Sequence, residues 1–270
     1  MIDIKEIKTI DQLENVQQLE YEVWEMPPIP LHQTLTAVKN GGIVVGAYDG
    51  EQLVGFSYGF SGFREGKSFL CSHMLGINKN YRSQGIGEKL KQAQRLIAIE
   101  RGYDLMVWTF DPLETRNAYL NLSKLKGICY TYIENCYGEM QDGLNKGLPS
   151  DRFEVSWHII SDYVMQDILI EVKNPVPVAS CSLNEQGFPC LKITENLKYT
   201  EDFYALPVPK DFQALKVHNP DLALDWRFKT RHILQQLFAH EYAVVKLQQQ
   251  EKYNEYLLVR KAAIPLEGEQ

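Results

Sequence analysis

Six consecutive residues, Arg82-Ser83-Gln84-Gly85-Ile86-Gly87, stand between an apolar run at 69–77 and a segment whose apolar residues Ile86, Leu90, Ala93, Ile97 and Ala98 recur at helical spacing. The glycines therefore sit at a helix start. There the first backbone N–H groups lack intrahelical partners and the positive end of the helix dipole faces outward, so an anion such as a pyrophosphate is held without a charged side chain. Gly85 and Gly87 remove the Cβ atoms that would keep such a group at a distance. His73 lies on the apolar run before the turn, and an imidazole with an ordinary pKa of about 6.5 suits proton acceptance at neutral pH.

Downstream come a strand at 105–110 and a second helix. Asp111 is placed as its N-cap, Pro112 as its first residue, Glu114 as the reciprocal capping partner and Gly127 as its left-handed terminator. Asn117 and Asn121 lie one turn apart on it and share a face. The order strand, Arg82-x-x-Gly85-x-Gly87, helix, strand, helix resembles the motif of the GCN5-related N-acetyltransferase (GNAT) superfamily, whose pattern is Arg or Gln, two residues, Gly, one residue, then Gly or Ala. The likeness covers residues 1–160, with its sharp motifs confined to 75–127. Within the superfamily, DPLETRNAYLNLSKL and DGLNKGLPSDRF are similar to a little-characterised bacterial group of predicted acetyltransferases.

That resemblance implies an acyl-CoA N-acyltransferase fold, in which a mixed central sheet flanked by helices splays apart, and acetyl-CoA as co-substrate. Leu75 and Ile77 would supply backbone contacts to the pantetheine and acetyl group. Arg82, Ser83, Gln84, Gly85, Ile86 and Gly87 would surround the pyrophosphate, with Asn117 and Asn121 helping to hold the coenzyme. His73 is the candidate general base, because an aliphatic amine of pKa about 10 must lose a proton before it attacks a thioester. Many relatives carry a tyrosine four residues before the helix-ending glycine, where its hydroxyl protonates the departing thiolate; here that position is Ser123. Tyr119, Tyr130, Tyr132 or water are left as substitutes, each tyrosine being equally explained as a packing aromatic. Trp24 and Met26 border the expected acceptor pocket or belong to a surface loop, and Arg116 and Arg152 bind an acceptor carboxylate or make surface ion pairs.

The elements that must position these residues can be read from pattern. Asp11 and Glu14 signal a first helix through Leu13, Val16, Leu19 and Val23. Strands at 42–49 and 52–60 meet at Asp49-Gly50, suited to a type I′ hairpin. Further strands are expected at 128–136 and 153–160. The remainder, 161–270, reads as an α+β accessory domain containing a helix from Asn219-Pro220 to His240 and a hairpin of strands at 242–247 and 256–259. Helix, His240-Glu241-Tyr242 and strand echo helix, Arg101-Gly102-Tyr103 and strand, which leaves a degenerate second GNAT-like half open as an alternative.

At 270 residues the chain has room for two cores, and its net charge of -7 argues against a general nucleic-acid or anionic-membrane surface. The N-terminus shows no leader pattern and no apolar run reaches membrane-spanning length. Five cysteines without a C-x-x-C pair suggest neither a disulfide framework nor a zinc site, so a cytoplasmic enzyme without metal is expected. The expected partner is a small-molecule amine or amino-acid derivative, with a homodimer possible. Protein N-terminal or lysine acetylation, and a coenzyme-binding regulatory module without catalysis, are the alternatives.

Overall fold

The computed structural model describes residues 1–138 and 147–267. The chain divides into two compact units, one of residues 1–108 with 157–160, the other of residues 109–156 with 161–270. Compactness thus divides the chain differently from the expected domains 1–160 and 161–270, because the chain passes between units inside two strands.

In the first unit, β1 (Ile2–Glu6) is followed by α1 (Ile10–Trp24), α2 (Leu31–Lys39), β2 (Ile43–Asp49), β3 (Gln52–Arg64), β4 (Lys67–Ile77), α3 (Ile86–Glu100) and the start of β5 (Leu105–Phe110). The strands lie in that order. β1 to β4 are antiparallel neighbours, and β4 and β5, separated by the α3 crossover, run parallel. The sheet is therefore mixed, as expected. The α1 cap differs from the expected one: Thr9, not Asp11, accepts from the Gln12 N–H and the Gln12 side chain returns to Thr9, a capping box two residues earlier. At the first hairpin Gly50 has φ +61 while Glu51 stays at negative φ, the pattern of a type II′ turn in place of type I′. Leu13, Val16 and Leu19 of α1 bury against Ile7, Val44, Phe56 and Tyr58, while α3 covers the other face through Ile86, Leu90, Lys91, Gln94 and Ala98. Two of those five are polar.

The second unit begins with the end of β5, then α4 (Thr115–Ala118), β6 (Ile128–Ile133), β7 (Arg152–His158, to Ser156), α5 (Asp162–Met165), β8 (Val176–Pro177), β9 (Ala179–Leu183), β10 (Pro189–Ile193), β11 (Phe203–Val208), α6 (Phe212–His218), α7 (Pro220–Ala239), β12 (Tyr242–Gln249) and β13 (Asn254–Arg260). Its main sheet runs β7-β6-β12-β13-β11-β8, with β9 and β10 in a separate hairpin. The expected Asn219 cap is present, accepting from the Leu222 N–H at 3.1 Å. Two segments repeat one topology: β5, helix, β6, β7 and β11, helix, β12, β13, each with its last strand inserted between the first two. The local echo at the helix ends also holds, Gly102 and Glu241 both taking left-handed φ before a tyrosine. Yet β12 has antiparallel neighbours, β6 and β13, where β5 has a parallel one in β4.

Candidate functional site

α3 starts at Gly85, which has φ +75 and no atom within 4 Å of where a Cβ would stand. The N-cap residue, Gly85, has no side chain to cap this end, as an anion cradle requires. Ser83 also takes a left-handed φ of +66, and the turn is tied down by Arg82 Nε donating to the Ile77 carbonyl at 3.2 Å and Gln84 Nε2 to that of Asn80 at 3.4 Å. Arg82, Ser83, Gln84 and Gly85 are exposed; Ile86 and Gly87 are buried beneath them.

β4 and β5 pair at two positions, Leu70 with Met106 and Cys71 with Val107. Just beyond, the β3–β4 register shifts: Tyr58 faces Met74 and Phe60 faces Cys71, so Ser72 and His73 stand opposite the single residue Gly59. This bulge bends β4 away and ends its ladder with β5. From Ser72 to Ile77 β4 keeps β3 on one edge and, among the described residues, has no strand on the other. The backbone of Leu75 and Ile77 lies on this stretch. An open strand edge leading to a glycine-started helix fits an extended amide chain that ends in a pyrophosphate, which is what acetyl-CoA presents.

His73 sits on the bulge. Its side chain is exposed, yet its ring lies edge-on to Tyr58 at 6.3 Å and Phe60 at 5.7 Å. That crowding holds its pKa below the ordinary value, with solvent access limiting the effect. The imidazole makes no hydrogen bond among the described residues, so it is free to take a proton. Nearby in sequence, a cavity of about 590 Å³ is lined by Tyr21, Glu22 and Glu25 at the end of α1 and by Asn78, Lys79 and Asn80 after β4.

Periodicity overlooked Lys91. Its side chain is 2% exposed, its Nζ donates to Ser72 Oγ at 2.8 Å, and it lies 3.5 Å from the centroid of the Trp108 ring. Ser72 Oγ in turn donates to Gln94 Oε1 at 2.5 Å. Burial pulls the Lys91 pKa down to about 7, against a smaller upward pull from the Cys71 thiol. The signal available in the sequence was two polar residues, Lys91 and Gln94, at sheet-facing positions of the α3 stripe.

In the second unit several expectations change. Asp111 is not a helix cap: its carboxylate takes a bidentate pair from Arg227, at 2.8 and 2.5 Å, and accepts from the Leu113 N–H at 2.8 Å. The helix starts only at Thr115, with Glu114 bonded to Gln213 instead of capping, and Tyr119–Lys124 continues it as a π-helical turn. A wider turn needs more than four residues to return to one face, so Asn117 is exposed while Asn121 is buried. Lys126, at φ +57, is the left-handed terminator, and Gly127 is required for space: a Cβ there would meet Val155 at 2.5 Å. Ser123 Oγ donates to the Leu247 carbonyl at 3.0 Å and accepts from its N–H at 3.1 Å, so this position is a clasp on β12. Tyr132 donates to Asp151 at 2.7 Å and burial raises its pKa far above the ordinary value, while Tyr130 accepts from Ser156. Tyr119 remains exposed. Arg152 is buried with Nη1 on the Asp151 carbonyl, and Arg116 is exposed. Of the stretch DGLNKGLPSDRF, residues 142–146 lie outside the described residues. All five cysteines are free thiols, and no group of three His, Cys, Asp or Glu side chains among the described residues could hold a metal. No described helix is long and apolar enough to cross a membrane.

A mixed sheet with a strand pair that opens before a glycine-started helix defines an α/β protein of the acyl-CoA N-acyltransferase fold. Residues 9–120 match the acetyltransferase (GNAT) family. Among solved structures, the ribosomal-protein-S18-alanine N-acetyltransferase from Escherichia coli shares 13% identity over 64% of this chain and 98% of its own, with a TM-score of 0.47. An N-acetyltransferase from Staphylococcus aureus Mu50 shares 16% over 59% and 99%, with a TM-score of 0.46. An aminoglycoside acetyltransferase from an uncultured soil metagenomic sample, in complex with sisomicin, shares 20% over 43% and 82%, with a TM-score of 0.39. Among curated proteins nothing matches the chain.

Proposed function

We propose that this protein moves an acetyl group from acetyl-CoA directly to the amine of a small molecule or amino-acid derivative. The observation that carries the reading is the opening of β4 from β5 after Cys71 and Val107, with Gly85 at the helix start beyond it. When bound, acetyl-CoA supplies an activated thioester. The N–H groups at the start of α3 bind its pyrophosphate, and the free edge of β4 at Leu75 and Ile77 orients its amide arm. His73 Nε2 or Nδ1 accepts the proton of the acceptor ammonium, which its unpartnered imidazole is equipped to do. The thiolate takes its proton from water, a thiol pKa of about 8.5 making strong assistance unnecessary. In the second unit the exposed Asn117 is the better placed of the two asparagines to hydrogen-bond a ligand.

A small cationic acceptor is supported by the cavity beside α1, whose size lies in the range of small-molecule sites and whose Glu22 and Glu25 carboxylates suit a protonated amine. With this reading go a cytoplasmic home, in keeping with five free thiols, and residues 161–270 as an accessory domain.

Calorimetry with acetyl-CoA and single-turnover transfer to a panel of amines and peptides test it. Gly85→Val, confirmed folded, is expected to lose coenzyme affinity, and His73→Ala to lose roughly a hundredfold in turnover with affinity retained. Equal affinity in Gly85→Val would show the cradle misplaced. Transfer to peptides alone would move the reading to protein acetylation, and binding without turnover to a regulatory module.

A further inference from the structure

We propose that Lys91 is a positioning residue for the thioester end of the coenzyme: from α3 it holds the mouth of the β4/β5 fork by tying the first unpaired residue of each strand, Ser72 and Trp108, to one amino group. The proposal rests on the coenzyme reading above.

The last paired residues are Cys71 and Val107. Ser72 and Trp108 follow them, and where the ladder would have continued the Lys91 Nζ stands 2.8 Å from Ser72 Oγ and 3.5 Å from the Trp108 ring centroid. One side chain thus spans both strands at the point of divergence. Gln94, one turn further along α3, backs the same serine and also accepts from Ser57 Oγ at 3.0 Å, which fixes the Ser72 hydroxyl as an acceptor for Lys91. Trp108 is held edge-on by Trp157 at 5.9 Å.

A lysine is a costly choice for this place. Burying an ammonium without a carboxylate opposes folding, and a methionine would fill a similar channel at no such cost. The groups that face Nζ are the Ser72 hydroxyl, the Trp108 face and the Cys71 thiol, the titratable group acting on it among the described residues. Both ties favour the charged form, since a cation is what a ring face attracts and an ammonium donates more strongly to a hydroxyl. With the amine titrating at about pH 7, the fork is held firmly below neutrality and loosens above it.

The test uses the full-length chain and acetyl-CoA as probe, with affinity, kcat and KM measured from mildly acidic to mildly alkaline pH in wild type, Lys91→Met and Lys91→Arg. The expected result is an acetyl-CoA affinity roughly tenfold weaker in Lys91→Met below neutrality, converging with wild type as pH rises. Lys91→Arg, charged throughout, should keep its affinity and lack the wild-type decline near neutrality; it also serves if the methionine variant does not fold. Titration of the coenzyme's own phosphates is common to all three and cancels in the comparison. Wild-type affinity with the wild-type pH profile in either variant would overturn the proposal alone. Wild-type protein that does not bind acetyl-CoA would overturn the coenzyme reading and this proposal with it.

Discussion

The two units each bury a cation on a long helix, and they treat it in opposite ways. Arg227 of α7 is 1% exposed at its side chain and meets Asp111 through two hydrogen bonds, with Phe212 stacked at 5.4 Å. Burial alone would lower its pKa, and the Asp111 carboxylate more than offsets that, holding the guanidinium firmly charged. Lys91 of α3 is equally buried but has a hydroxyl and a ring face for company, and its pKa falls to about 7. A buried charge with its counter-charge belongs to the architecture of its unit. One without opposes folding, so its retention points to work done elsewhere, here at the fork.

The largest expected effect comes from breaking the paired cation. Asp111→Leu should cost about 3–5 kcal/mol in denaturant unfolding, because it leaves Arg227 buried without its bidentate carboxylate partner, and Asp111→Leu combined with Arg227→Met should recover most of that loss. A single variant that unfolds at the wild-type midpoint would mean that Arg227 is no better partnered than Lys91.

Lys91 should show its contrast through pH. Its folded pKa of about 7 lies below the ordinary 10.5, so between these values the unfolded chain binds a proton that the folded one has shed. Wild-type stability therefore rises with pH across that window, by an amount on the order of 5 kcal/mol, and is lowest below it. Lys91→Met should lack this rise and be the more stable protein at acidic pH. Thermal unfolding of both against pH checks it, and parallel curves would place Lys91 among ordinary solvated lysines.

A smaller effect separates the two ties on Lys91. Trp108→Leu should remove roughly 0.5–2 kcal/mol of support for the ammonium beyond any loss of packing, and so weaken the protein more below pH 7 than above it. A pH-independent loss would leave Ser72 as the group that matters.

The parts of the fold carried by local pattern were legible. The α7 helix with its Asn219 cap, the β12–β13 hairpin and the glycine start of α3 all follow from residues within one turn of each other. Asp111 shows where such reading stops. Asp-Pro before a helical pattern is a sound capping signal, but its carboxylate went to an arginine 116 positions away, and the helix started later as a result. Ser123 likewise reads as a lost tyrosine until Leu247 is found against it.

What the sequence by itself determined is the set of groups whose partners are near in the chain: a helix start with bare N–H groups at Gly85, a histidine on the strand before it, and the succession of strands and helices that carries them. Only the tertiary structure decided where the sheet opens, because the bulge at Ser72 and His73 depends on register against β3, and register is a property of two strands together. It alone also decided that Lys91 faces inward. Helical periodicity marks a position as sheet-facing, but the free energy of a charge at that position depends on what the sheet offers it, and Ser72 and Trp108 reach it only when β4 and β5 have come together at Cys71 and Val107 and then parted.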